Sequence, residues 1–264
     1  MKKSRIKIEL AFYFMLMLNS AVFGGWDIHT HINTTKEAVR IQPVFEYEMC
    51  VYYKDHLLEG VIEGEIHYKY LATGKHPNWI SDISENEVPF LNGIPINDQN
   101  IDSAAYFFAD QLIELKKDIS ALEKPYGQIM FELGYFLHSI NNSLIPEYHG
   151  GKCHWQEMAS NTDSIDIRTS NITKVTDLKG SLIQMFKDNL NLRKEWTQMA
   201  EAEDKEGFIQ IAQKAHEQNI YHTASLIQYV LDGCLGPAHP EARKHVAAHH
   251  EERMAANGGR KPDF

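Results

Sequence analysis

The segment "YGQIMFELGYFLHSINN", which runs from Tyr126 to Asn142, is apolar on about three sides of a helix. A stretch of that kind forms a stable helix only if its neighbours bury it, so the whole chain must fold around it. Those neighbours are present in the same pattern. In "DSAAYFFADQLIELKKDISALE" (102–123) the apolar positions 105, 108, 109, 112, 113 and 115 make one helical stripe. "DLKGSLIQMFKDNLNLRKEWTQMAEAED" and "KEGFIQIAQKAHEQNIYHTASLIQYVLDG" are two more long helical stretches, the second stopped by Gly233 and Gly236-Pro237. Residues 36–58 carry apolar and aromatic positions with few breakers, which predicts helix there too. Loops are expected at 72–100 and from 143 to about 175, where Pro, Asn and Gly gather. Few stretches alternate with period two and no hairpin turn stands out, so the expected class is all-α, a single helical domain.

Residues 1–25 are expected to be a signal peptide, sending the protein to the periplasm or the exterior. "MKKSRIKIELAFYFMLMLNSAVF" has a basic start, an apolar run too short for a comfortable membrane span, and then small residues. Cleavage after Gly24 puts Val22 and Gly24 at the small-residue positions, whereas cleavage after Gly25 frees Trp26 as the terminus but puts Phe23 where a small residue is preferred. Losing Lys2, Lys3, Arg5, Lys7 and Glu9 takes 26 basic and 36 acidic residues to 22 and 35, a net charge of −13. Such a field repels polyanions at long range, which argues against duplex nucleic acid as a partner. No later segment is long and apolar enough to span a membrane. Domain 26–236 carries the helical pattern; 237–264, with its four histidines, reads as a polar tail that is solvated and disordered or forms a short fraying helix. Cys50, Cys153 and Cys234 give no zinc-finger spacing, and one bridge or free buried thiols are both open.

Taken singly, a histidine such as His138 on an apolar face is a core residue. Its company suggests more: Trp26 and His31, Glu65 and His76, His138 and Asn142, His149 and His154 with Glu157. Imidazole and carboxylate are zinc ligands outside thiolate sites, and residues four apart share a helix face.

These residues carry a resemblance. "WDIHTHINTTKEAVRIQPVFEYEMCVYYKDH", "LGYFLHSINNSLIP" and "HTASLIQYVLDGCLGP" are similar to the opening, the buried helix and the closing helix of the superfamily that joins bacterial zinc-dependent phospholipases C with single-strand-specific zinc nucleases. The resemblance implies an all-helical fold with long loops over a cleft holding up to three zinc ions. It places Trp26, through its amino group and carbonyl, and His31 on one zinc, Glu65, His76 and His138 on another, and His149, His154 and Glu157 on the third. Asn142 stands where the family has a bridging aspartate, His149 is one place out of register, and His154 and Glu157 are three apart instead of four.

The implied activity is hydrolysis of a phosphodiester, either a phospholipid or single-stranded nucleic acid. Metal-activated water is the nucleophile; no side chain is needed beyond it, although Glu65 is a candidate helper. The competing expectation is a degenerate secreted relative that keeps the fold and one or no zinc and acts in binding, for which Asn142 is the main support.

Overall fold

The computed structural model describes residues 28–70, 96–144, 172–202, 204–235 and 240–259, with backbone alone for 65–70, 200, 201, 205, 208, 235 and 240–247. Among them there is no strand, and the domain is all-α. The helices are α1 (Ile28–Arg40), α2 (Val44–Tyr52), α3 (Lys54–Tyr70), α4 (Ile101–Ala121), α5 (Tyr126–Ser143), α6 (Leu178–Glu201) and α7 (Lys205–Leu231). A 3-10 turn (Asp232–Leu235) and α8 (Pro240–Ala256) follow.

The stretch 36–58, expected to be helical, is shared among three helices. Pro43 has no N–H and ends α1's reach: it takes φ −55° and ψ 159° and becomes the N-cap of α2. Helix also begins earlier than the apolar pattern indicated, at Ile28, because four polar residues of α1 (Thr30, His31, Thr34 and Thr35) are buried. The two long C-terminal stretches fold as expected. Asp177 Oδ1 accepts from the Gly180 N–H at the start of α6, and Asp204 Oδ1 accepts from the Gly207 N–H at the start of α7.

α5 is the buried centre, with every residue from Leu133 to Ser143 inside. Its most extensive partner is α3, and the two backbones meet more closely than side chains would permit. A Cβ at Gly60 would strike the Phe131 carbonyl, and one at Gly134 would strike the Leu57 carbonyl. Glycine is required at both positions for close approach. α4 packs on α5, α6 and α7, while α1 lies on α7 and α3. α1 and α7 run side by side in the same direction: Thr34 meets His216, and further along Gln42 Nε2 donates to the Ala224 carbonyl at 2.8 Å. Phe108, Leu112, Tyr135, Phe136, Phe186 and Ile227 fill the core between these helices. A second cluster, Trp196 with Leu192, Ile211, Ala212 and Ala215, closes the far end of the α6–α7 pair.

The polar tail contains a docked helix. In α8, His250 Nδ1 and Arg253 Nη1 both bind the buried Glu48 of α2, at 2.6 and 2.7 Å, and His250 stacks edge-on against Tyr47. This explains why hydropathy alone pointed to a solvated tail: among the described residues the attachment is ionic. Cys50 and Cys234 are buried free thiols, and burial pushes both up, Cys234 to about 12. Cys153 lies outside the described residues. Among those described, no helix is long and apolar enough to cross a membrane.

Candidate functional site

The buried face of α1 is polar, which a core tolerates only where each group is satisfied. Thr34 Oγ1 donates to the Thr30 carbonyl at 2.8 Å, and Thr35 Oγ1 to the His31 carbonyl at 2.9 Å. The threonines are thus satisfied by their own helix. His31 is fully buried and points across to α5, where its Nε2 lies 3.1 Å from Asn142 Oδ1. His138 sits one turn before Asn142 on α5. Its Nε2 is 3.5 Å from Asn142 Nδ2, and its ring centroid is 4.3 Å from that of His31, tilted by 50°.

Three sequence choices make this meeting possible. The i, i+4 spacing puts His138 and Asn142 on one face of α5. Their side of that helix faces α1, which delivers His31 from 111 positions away. α3 leaves room for the His138 ring at Gly64, where a Cβ would stand 2.8 Å from ring atoms. With the amide in this orientation its oxygen accepts from His31 Nε2–H, and its NH2 faces His138 Nε2.

A second polar contact adjoins the first. The Thr34 hydroxyl gives its proton to Thr30, so it accepts from His216 Nε2–H of α7 at 3.1 Å. Burial holds His216 down at about pH 4, hence neutral around pH 7. On the same face of α7, Thr223 Oγ1 donates to Asn141 Oδ1 at 3.2 Å. α1, α5 and α7 therefore share a buried polar seam with the imidazole pair at one end. The sequence reading passed over Thr34, His216 and Thr223, and noted Asn141 only as a sequon on the buried helix. The one available signal was that His216, Asn219 and Thr223 recur at helical spacing on an otherwise apolar face.

Of the residues singled out from sequence, the structure brings His31, His138 and Asn142 together. Glu65 follows Gly64 on α3, so its backbone is at this level of the bundle, while its side chain lies outside the described residues. Trp26, His76, His149, His154 and Glu157 also lie outside them. Among the described residues no three of His, Cys, Asp or Glu come together as a metal-ligand group; the third donor here is an amide.

The donor chemistry fits a divalent metal in kind, and one separation can be compared with ligand spacing. Two ligands about 2.1 Å from one zinc at a tetrahedral angle stand roughly 3.4 Å apart. The 3.1 Å between His31 Nε2 and the Asn142 oxygen is close to that figure, while the 3.5 Å from His138 Nε2 is measured to the amide nitrogen, which is not a ligand. The set is neutral, two imidazoles and a carboxamide, so it offsets none of a dication's charge. Asn141 is also part of a sequon; it is 2% exposed and bonded to Thr223, so a glycan there is incompatible with the fold. No family model, curated protein or solved structure matches the chain.

Proposed function

We propose that the chain is an exported, zinc-dependent phosphodiester hydrolase that acts on a phospholipid or on single-stranded nucleic acid. One observation carries the reading: two buried imidazoles from different helices converge on one carboxamide, their ring centroids 4.3 Å apart. The similarity of "WDIHTHIN" and "LGYFLHSINN" to the phospholipase C and nuclease superfamily supplies the chemistry that such a site serves.

His31, His138 and Asn142 would hold the metal, with further ligands from the other candidates. Bound zinc supplies a Lewis acid that acidifies water and offsets charge developing on phosphorus. The chain's own part is to fix the donors. The two threonine hydroxyls brace α1, His216 binds α1 to α7, and Gly64 lets α3 close over His138. The apolar walls around α5 keep bulk water away from the donors, which strengthens every interaction there.

The test uses full-length protein exported with its own leader, its N-terminus sequenced and its zinc measured by elemental analysis. Turnover of bis(4-nitrophenyl) phosphate, 4-nitrophenylphosphocholine and single-stranded DNA is then followed before and after chelation. Zinc in the protein and chelator-sensitive turnover of one of the three are expected. Protein without zinc and without turnover ends the hydrolase reading.

A second reading is favoured by Asn142 itself. Its amide bonds one imidazole through oxygen and lies against the other through nitrogen, an arrangement satisfied with no ion at all. In that case the chain is a helical binding protein with one or no zinc, and the same assay gives at most one equivalent of zinc and no turnover of any substrate.

A further inference from the structure

We infer that His31 and His138 share a single divalent cation, with the Asn142 oxygen as its third ligand, so that this end of the seam is a mononuclear site. The inference rests on the metal-binding reading above and departs from the resemblance, which assigns the two histidines to different zinc ions. Three observations carry it. The ring centroids are 4.3 Å apart, which leaves both imidazoles within reach of one ion. Both Nε2 atoms face the same carboxamide, His31 at 3.1 Å from its oxygen, close to the spacing of two ligands on one ion, and His138 at 3.5 Å from its nitrogen. The group between them is an amide with a single oxygen. A carboxylate offers an oxygen to each of two cations and a negative charge to hold them together; a carboxamide offers one oxygen and no charge. Two dications side by side would have only neutral ligands from this cluster, so their repulsion would go unopposed by it.

When His31 takes up the ion through Nε2, the proton there is released and Nδ1 takes one up, so the ring ligates as a neutral imidazole with no net loss of a proton. The Asn142 amide presents its oxygen to the ion, and its NH2, which faces His138 in the structure, turns away so that both imidazoles can ligate. No other covalent change is required.

The experiment compares metal content in wild-type full-length protein, His31→Gln, His138→Gln and the double variant. Each is loaded with zinc, dialysed and measured by elemental analysis, with circular dichroism as the check on folding. A shared ion predicts that each single variant loses one equivalent and the double variant also loses just one. A double variant that loses two equivalents, or a single variant that loses none, overturns the inference and leaves the hydrolase reading standing. Wild-type protein with no zinc removes both.

A second measurement needs no substitution. In a zinc titration of wild-type protein followed by long-range proton–nitrogen NMR of the imidazoles, His31 and His138 should move along one saturation curve. Separate curves overturn the inference even if a variant fails to fold.

Discussion

Asn142 is the residue whose replacement says most about the site. It is 8% exposed and faces two imidazoles, so Asn142→Asp adds a carboxylate to a neutral donor set with almost no change of shape. Zinc affinity is expected to rise at least about tenfold, equivalent to about 1.4 kcal/mol, in competition with a chromogenic chelator. Unchanged affinity would mean that no cation sits beside this side chain. Lys124 is a residue of a different kind. It pairs with Asp118 and Glu132, at 2.8 and 3.0 Å, where α4 turns into α5. Burial works to lower the lysine's pKa, but the hydrogen bonds and charges of the two carboxylates outweigh it and raise the value. Both carboxylates are nearly inaccessible, so Lys124→Met leaves two acids without their cation. Because the lysine is a third exposed, the loss is expected to be about 2 kcal/mol in urea unfolding, below that of a fully buried pair. That histidines recur near carboxylates and amides was readable from the sequence. Which ones meet was not, because His31 and Asn142 are brought together by a contact spanning most of the N-terminal half.

Between elements, the α3–α5 contact depends on glycine. Gly134→Ala places a methyl group into the Leu57 carbonyl, which is backbone and cannot swing aside. The helices must part, at an expected cost of about 3 kcal/mol, the upper range for overpacking a tight core. Equilibrium unfolding measures it, and wild-type stability in this variant would rule out the close approach. α8 is attached differently, through Glu48. Glu48→Ala removes the acceptor of both His250 and Arg253 and leaves the core untouched. Limited trypsin digestion should then cut at Arg243 and Lys244 several-fold faster, with the remaining helices as resistant as before. The helices α4, α6 and α7 could be read directly, since their apolar stripes match the faces that the structure buries. α1 could not, because its buried face is threonine and histidine; the sequence leaves a short helix open for the tail, but the docking of α8 was not legible, because among the described residues it rests on Glu48.

For the molecule as a whole, acid stability follows from the seam. Burial lowers His216 from 6.5 to about 4. It does the same to His222, although nearby Asp188 works to raise that one. The unfolded chain therefore binds protons at a higher pH than the folded one. The sign is that stability is complete above pH 6.5 and is lost as pH falls from 6.5 towards 4. A shift of that size at His216 alone amounts to about 3 kcal/mol by pH 4. Thermal melts across this range should drop steeply, and His216→Gln should flatten the profile; an unchanged slope would show that His216 is not held neutral.

Helical class, the long helices α4 to α7 and the importance of α5 were determined by the sequence alone. Periodicity is a local property, and apolar residues repeating every three to four positions can be buried in only one way. Local pattern also nominated His31, His138 and Asn142. Only the tertiary structure decided that they meet, that Gly60, Gly64 and Gly134 let α3 press onto α5, and that His216 joins the same seam. Those contacts join helices far apart in the chain, and they depend on how closely backbones approach and which polar groups satisfy one another, neither of which is written in any one segment.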